Sequence, residues 1–274
     1  MASAALLWVV VQLVAFVSRR VPITDHPNAA AALLMVEMLL ILPGAVWWGT
    51  GVIRSAVRHV GRGGSSLVAL LTGAVGLGAF FWAAAFWWQS ARFAMSDVWA
   101  TLAGDTLPAS VQIEPAADGT ASRLLVSGEL EFGTTRAVRE ALDANPRIET
   151  IRLESRGGRA AEGLALGRLL LDRNRDTMVT GECSSACITA FAGGARRSIA
   201  RDARLGMHSA GGHGVSAAML ADANRRSDQF IANRGVEVSL LEEGAAVANR
   251  EIWFPPASVL VRAGLATEIL DVRK

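Results

Sequence analysis

The chain has 274 residues, 51% of them hydrophobic, and its formal net charge at pH 7 is only +2. A chain of this length has room for one sizeable domain and a second, smaller part. The nearly balanced charge offers no concentrated basic face, so we expect no nucleic-acid partner.

The first hundred residues are predominantly apolar and hold seven of the eight tryptophans. Three apolar runs lie here, at 2–17, 29–53 and 66–88. A membrane span takes about 17–25 apolar residues, and tryptophan near the end of a run is typical of the membrane interface. We therefore interpret 1–93 as a region of three transmembrane helices. Because the first run is short, two spans and a buried or interfacial first helix are the alternative.

The arginines that flank the three runs favour, by a small margin, an orientation with the carboxy-terminal domain outside the cytoplasm. The sequence thus predicts an integral membrane protein of the bacterial inner-membrane type. Residues 94–120 are small and polar and include Pro108, Pro115 and the string ADGT. This composition is typical of a linker.

Strand-like and helix-like segments alternate along 121–274. The strand candidates are SRLLVSG, IETIRLES, DTMVTG, RSIA and RLGMHS, and the helix candidates are TTRAVREALDAN, AAEGLALGRLLLDRN and the start of GECSSACITAFAGG. Such alternation predicts an α/β domain with parallel strands. Sites in these domains gather beyond the carboxyl ends of the strands.

Two glycine-containing turns occupy this position, ESRGG after the second strand and TGECSSAC after the third. A Gly-Gly pair lets the backbone approach a ligand closely, and a serine beside unpaired amides can form and stabilise an oxyanion. His208 is the candidate base for such a hydroxyl. The alternative is that Ser184 or Ser185 simply caps a helix, since serine is a preferred N-cap residue.

Cys183 and Cys187 are the only two cysteines. Two ligands are too few for a metal site, and a thioredoxin-like pair needs the spacing Cys-x-x-Cys. We therefore predict neither a metal nor a cofactor. The interpretation that we favour is a pair of small buried residues shaping the turn, and a disulfide is the alternative that remains open.

In their order and spacing, these motifs resemble those of the Clp protease proteolytic subunit (ClpP) and its membrane-associated relatives, within the crotonase-like fold. ESRGG resembles Ser-Pro-Gly-Gly, GECSSAC resembles Gly-Gln-Ala-Ala-Ser-Met-Gly, and GMHSA resembles Met-Ile-His-Gln-Pro. The late segment ASVLVRAGLATEIL resembles the closing helix and turn of the family. The resemblance covers 124–270 and implies a crotonase-like (ClpP-type) domain over 121–274, with a homo-oligomer as the expected assembly.

By this resemblance, Ser185 is the nucleophile and His208 is its base. Gly158 and the amide of Ala186 would form the oxyanion hole. A lysine base, as in the signal-peptide-peptidase branch of the superfamily, is excluded because the only lysine is Lys274.

The sequence departs from the family pattern at two positions. The proline of Ser-Pro-Gly-Gly is Arg156 here, and the triad aspartate falls on Ala248, which cannot orient an imidazole. Asn249 and Glu251 are the nearest polar substitutes, and we take both as candidates for the third catalytic group.

The expected function is that of a membrane-anchored serine hydrolase, a serine endopeptidase that cleaves protein or peptide substrates near the membrane surface. Two alternatives stay open. The missing aspartate favours a catalytically silent crotonase-like scaffold in the membrane that binds peptides or partner proteins. An acyl-thioester enzyme of the crotonase type would also use the Gly-Gly turn, but it would leave Ser185 and His208 without a role.

Overall fold

The computed structural model describes residues 26–103, 107–115, 122–211 and 217–270, together with Leu13, Val14, Phe16, Val17 and Arg20. The chain divides into two compact units, residues 1–105 and residues 106–274. Most of the apolar run at 2–17 lies outside the described residues.

The first unit contains two long helices, α1 (Pro27–Gly61) and α2 (Ser66–Ala103). They pack side by side at glycines: a Cβ on Gly76 would lie 2.6 Å from Cγ1 of Val52. Large apolar side chains of both helices are exposed, among them Trp47, Trp48, Trp82 and Trp88.

One finding overturns the prediction of an integral membrane protein. Within the described residues, no helix is both long enough and apolar enough to cross a membrane. The spans predicted at 29–53 and 66–88 are therefore wrong, and so is the prediction of an integral membrane localisation. Both helices carry small and polar residues among the apolar ones, and the hydroxyls of Thr50 and Thr72 donate to backbone carbonyl oxygens of their own helices.

Regular structure also occurs within 94–120. Helix α2 continues to Ala103, and Ser110–Pro115 forms strand β1. This strand pairs antiparallel with the next one, from Ser110 opposite Ser127 to Pro115 opposite Ser122. Its residues are exposed or half-buried, so the strand forms through pairing at the sheet edge and not through an apolar pattern.

After β1, the described residues of the second unit form the strands β2 (Ser122–Ser127), β3 (Thr150–Glu154), β4 (Asp176–Val179), β5 (Glu182–Ser184), β6 (Arg197–Ala200), β7 (Arg204–Gly206) and β8 (Glu268–Leu270). Together with β1, five of them build one six-stranded sheet with the order β1-β2-β3-β4-β6-β8. Apart from β1–β2, every neighbouring pair is parallel. Strands β5 and β7 form a separate parallel pair. The predicted α/β class with a mostly parallel sheet is confirmed.

In the described part of this unit, six helices accompany these strands: α3 (Thr134–Ala144), α4 (Ala160–Asp172), α5 (Ala186–Ala192), α6 (Ala217–Ala232), α7 (Val238–Ala246) and α8 (Ala257–Arg262). Helix α3 buries Val138 and Leu142, four residues apart on one face. Leu166 and Leu170 of α4 have the same spacing and are fully buried. Their faces join the apolar residues of the strands in one core.

A buried carboxylate links α3 to α4. Glu162, on α4, is fully buried and accepts hydrogen bonds from the backbone N–H groups of Gly133 and Thr135, at 3.0 and 2.9 Å. The hydroxyl of Thr135 donates to the same carboxylate. Since the first N–H groups of a helix lack partners within the helix, Glu162 acts as the cap of α3 from a neighbouring helix.

Helices α4 and α5 meet backbone to backbone. A Cβ on Gly163 would overlap the carbonyl oxygen of Ala186, and one on Gly167 would lie 2.6 Å from the carbonyl oxygen of Thr189. Helix α4 follows the Gly-Gly turn and α5 follows Ser185. The close packing of these helices therefore holds the two turns at a fixed separation.

The end of α5 is fixed by arginines. The buried guanidinium of Arg197 donates to the carbonyl oxygen of Gly194 at 3.1 Å, and Arg234 donates to the carbonyl oxygen of Ala192 at 3.2 Å. Burial lowers the pKa of Arg197, and the neighbouring charge of Arg234 lowers it further. These bonds satisfy carbonyl groups that a helix end leaves without partners.

Candidate active site

Ser185 occupies the junction between β5 and α5. Its backbone angles, φ 56° and ψ −125°, lie in a region that residues other than glycine rarely adopt. From Cys183 to Gly194, every residue except Ser185 is buried. The neighbouring Ser184 is fully buried, and its hydroxyl donates to Glu182 at 3.1 Å. Of the two serines, only Ser185 can therefore meet a substrate from solvent.

The Gly-Gly turn lies directly against Ser185. A Cβ on Gly157 would be 2.7 Å from Cβ of Ser185 and 3.3 Å from its Oγ. Both glycines have positive φ, +115° for Gly157 and +133° for Gly158, which disfavours any side chain. The contact brings the turn that follows β3 next to the hydroxyl.

A main-chain clamp holds the Gly-Gly turn from its other side. The N–H of Leu130 donates to the carbonyl oxygen of Gly157 at 2.7 Å, and the N–H of Arg159 donates to the carbonyl oxygen of Leu130 at 2.9 Å. The hydroxyl of Ser155 accepts the N–H of Gly157 at 3.1 Å. Because these bonds occupy the groups around Gly158, the orientation of its own N–H is fixed.

Two backbone amides beside Ser185 remain available. Within the described residues, no hydrogen bond uses the N–H of Gly158 or the N–H of Ala186. Gly158 is exposed and Ala186 is the residue that follows Ser185. Two unbonded amide donors beside a serine hydroxyl are the kind of arrangement that can stabilise an oxyanion in acyl transfer.

The backbone of His208 is linked to that of Ser185 through β7, and within the described residues no hydrogen bond joins the two side chains. The N–H of Ser185 donates to the carbonyl oxygen of Gly206 at 2.8 Å, two residues before His208. Met207, between them, pairs with Trp253 through two backbone hydrogen bonds of 2.9 and 3.0 Å. This pairing fixes the backbone on which the half-buried imidazole is carried.

The tautomer of His208 follows from its partner. Nδ1 lies 2.7 Å from the carbonyl oxygen of Ser209. A carbonyl can only accept, so Nδ1 carries a proton, and in the neutral imidazole Nε2 then carries the lone pair. In this tautomer Nε2 can act as a general base.

Asn249 lies beside the same imidazole. Its side-chain nitrogen is 3.4 Å from Nδ1 of His208 and 3.3 Å from the carbonyl oxygen of Ser209, to which it donates. A Cβ on Gly211 would be within 2.5 Å of the amide nitrogen of Asn249, so the glycine leaves the space that the amide occupies. Asn249 thus contacts both the histidine and the carbonyl that orients it.

The second substitute, Glu251, has a different environment. It is exposed, and its carboxylate lies 3.8 Å from the guanidinium of Arg250. Within the described residues, no hydrogen bond or ion pair joins Glu251 to His208. Arg156, which replaces the proline of the family motif, is 82% exposed and lies 3.8 Å from Glu182.

The cysteines form a disulfide, the alternative that the sequence left open. Cys183 and Cys187 are joined with a Cα–Cα distance of 5.3 Å. Cys183 lies in strand β5 and not in the helix, and the turn at Ser185 brings the strand and the helix start within disulfide range.

Sequence reasoning missed three groups that hold the site in place. They are the carbonyl of Ser209, which orients His208, and the hydroxyl of Ser155 and the backbone of Leu130, which hold the Gly-Gly turn. A serine two residues before a glycine could have indicated the Ser155 bond, because serine hydroxyls often bind a backbone N–H two positions later. Roles of backbone groups leave no signal in side-chain type.

No protein-family model and no curated protein matches the chain. Among solved structures, it is similar to ClpP1 from Listeria monocytogenes, at 19% sequence identity over 55% of this chain and 92% of that chain, with a TM-score of 0.47. It is also similar to the ClpP protease catalytic domain from Plasmodium falciparum, at 17% identity over 55% of this chain and 85% of that chain, with a TM-score of 0.45.

Proposed function

We propose that this protein is a serine hydrolase, and that it acts as a peptidase on protein or peptide substrates. Ser185 is the nucleophile, His208 is the general base, and the amides of Gly158 and Ala186 form the oxyanion hole. Asn249 is a positioning residue that holds the base through Ser209.

In this mechanism, Oγ of Ser185 attacks the carbonyl carbon of the substrate while Nε2 of His208 takes the hydroxyl proton. The two amides stabilise the negative charge that develops on the carbonyl oxygen. The imidazolium then gives its proton to the leaving nitrogen, and an acyl group stays on Ser185. Water, activated by the same imidazole, releases the acyl group and restores the hydroxyl.

The observation that supports this proposal best is the environment of Ser185. It is the one accessible residue of an otherwise buried segment. It also touches the Gly-Gly turn and bonds to the strand that leads to His208. A serine that only capped a helix would direct its hydroxyl to the helix amides, whereas Ser185 makes no such side-chain bond.

The test is labelling of the full chain with a serine-directed fluorophosphonate. We expect labelling of the wild type and of Ser184→Ala, and none of Ser185→Ala. Ser184 is the matched control because it is the adjacent serine and is fully buried. Persistent labelling of Ser185→Ala with a native circular-dichroism spectrum would refute the assignment.

A second candidate is the silent peptide-binding scaffold. It is favoured by one observation, that Nδ1 of His208 faces the carbonyl of Ser209 where a triad has a carboxylate. Under this candidate, the folded wild type would bind peptides but would neither react with the probe nor hydrolyse any of them.

A further inference from the structure

The Cys183–Cys187 disulfide closes a five-residue loop around Ser185. Cys183 is the middle residue of β5 and Cys187 is the second residue of α5. Both cysteines are fully buried, whereas Ser185 between them is partly exposed. These are the only two cysteines of the chain, and the bond between them spans the proposed nucleophile.

The turn at Ser185 lacks the usual support of a helix start. Serine at an N-cap normally accepts the N–H of the second or third helical residue. Ser185 is the N-cap of α5, but its side chain makes no capping hydrogen bond. A hydroxyl that is free for chemistry is unavailable as a cap, so the helix start must be held by other means.

Main-chain hydrogen bonds hold part of this junction, among them that of the Ser184 N–H to the carbonyl oxygen of Ser155 at 2.9 Å. The N–H of Ser185 bonds to Gly206, at 2.8 Å, and the N–H of Ile188 bonds to the carbonyl oxygen of Ser185, at 2.9 Å. Helix α5 is only seven residues long, and short helices gain little stability from their own hydrogen bonds. The positive φ of Ser185, 56°, opposes the turn because a residue with a side chain rarely adopts it.

We infer that the disulfide replaces the missing cap, and that Cys183 and Cys187 are positioning residues for the Ser185 hydroxyl and the Ala186 amide. The bond ties the first turn of α5 to β5 on both sides of the nucleophile. The turn can therefore keep its strained geometry while the hydroxyl stays unbonded. This inference rests on the proposed hydrolase function.

The role predicts an effect on the chemical step and not on substrate binding. Without the bond, Ser185 and Ala186 shift relative to the Gly-Gly turn, and a displacement of about 1 Å can cost about 100-fold in rate. We expect kcat to fall by about 10- to 100-fold while KM stays unchanged. Reduction by dithiothreitol has the same effect: the S–S bond breaks, two thiols form, and the reductant leaves as a cyclic disulfide.

The experiment compares the full-length wild type with Cys183→Ala, Cys187→Ala and the double variant, using peptide hydrolysis and the rate of fluorophosphonate labelling. Each variant loses the same bond, so all three should lose the same factor in kcat. Dithiothreitol should bring the wild type to their level, leave the variants unaffected, and be reversed by reoxidation. Full kcat in the reduced wild type would overturn the inference. A loss of kcat in the double variant equal to the combined losses of the two single variants would overturn it as well, because independent losses indicate an effect on packing alone.

Hydrogen–deuterium exchange supplies a readout that needs no activity. In the reduced wild type, exchange should rise in the peptide that covers 181–190 and stay constant in helix α3. Unchanged exchange at 181–190 would overturn the inference even if a variant failed to fold. If the oxidised wild type reacts with no probe and cleaves no peptide, the proposed hydrolase function is wrong. A rise in exchange at 181–190 on reduction would then show that the disulfide has a structural role only.

Discussion

Asn249 holds its side-chain nitrogen 3.4 Å from Nδ1 of His208. The same nitrogen donates to the carbonyl oxygen of Ser209, which is also the acceptor for the imidazole. The carbonyl itself is anchored, because the N–H and the hydroxyl of Ser209 both donate to Val247, at 2.9 and 2.8 Å. The neutral carbonyl of Ser209, held by Asn249 and Val247, therefore orients the histidine where a triad uses a charged carboxylate.

Removing the amide should weaken this orientation. We expect Asn249→Ala to lower kcat by about 10-fold, in line with one hydrogen bond of about 1.4 kcal/mol, and to leave KM unchanged. Gly211→Ala is the matched second variant, because its methyl group would displace the Asn249 amide without altering that residue. If steady-state kinetics show wild-type kcat in both variants, Asn249 has no positioning role.

A carboxylate at the same position should support the base more strongly. Asn249→Asp places a negative charge beside Nδ1, which favours the imidazolium form. We expect kcat to equal or exceed that of the wild type and the acid limb of the pH–rate profile to move to higher pH. An acid limb at the wild-type position would show that residue 249 does not act on His208.

The contact between α4 and α5 predicts that Gly163 does not tolerate a side chain. A methyl group at Gly163 would overlap the carbonyl oxygen of Ala186, and overpacking of this kind costs about 1–3 kcal/mol. Gly163→Ala should lower the free energy of unfolding by that amount and reduce kcat, since the Ala186 amide moves with the helix.

Gly181→Ala is the control for this prediction. It lies just before β5, but a Cβ there would meet only the side chain of Glu154, at 3.5 Å, which is ordinary contact. Chemical denaturation should give nearly wild-type stability for Gly181→Ala. Equal stability of the two variants would contradict the close packing of the helices.

Asp228, on α6, should make the thermal stability of the protein depend on pH. Burial raises the pKa of its carboxyl group, and no hydrogen bond or ion pair joins it to the described residues. A raised pKa in the folded state contributes stability at low pH that is lost as the pH rises through that pKa. Asp228→Asn stays neutral throughout, so at pH 7 it should raise the Tm by about 1–2 °C.

This gain should disappear near pH 4, where the aspartic acid itself becomes protonated. The control on the same helix is Asp222→Asn, because Asp222 is ion-paired with Arg226 at 2.6 Å. Thermal melts should show no gain for the control at either pH. A gain for Asp228→Asn that does not change between pH 4 and pH 7 would refute the stated cause.

Strands and helices with strong patterns were predictable. SRLLVSG, IETIRLES and DTMVTG each contain a strand, and TTRAVREALDAN contains helix α3, because their apolar residues recur with the period of the element. The Gly-Gly turn and Ser185 were located by the same logic, at the carboxyl ends of strands.

Other features had no local signal. Strand β1 has few buried residues and exists through pairing with β2, and β5 is a three-residue strand within a run of small residues that predicts a helix start. The disulfide depends on the turn at Ser185, which no spacing rule could supply. The orienting group of His208 is a backbone carbonyl, and every residue has one.

The central claim is that Ser185 is a nucleophile activated by His208, and peptide mapping of a covalent adduct tests it most directly. The full chain is treated with a fluorophosphonate, digested and analysed by tandem mass spectrometry, alongside His208→Ala. The adduct is predicted on Ser185 of the wild type, at a rate at least about 100-fold higher than in His208→Ala. An adduct on another residue, or equal rates in the two proteins, would contradict the claim.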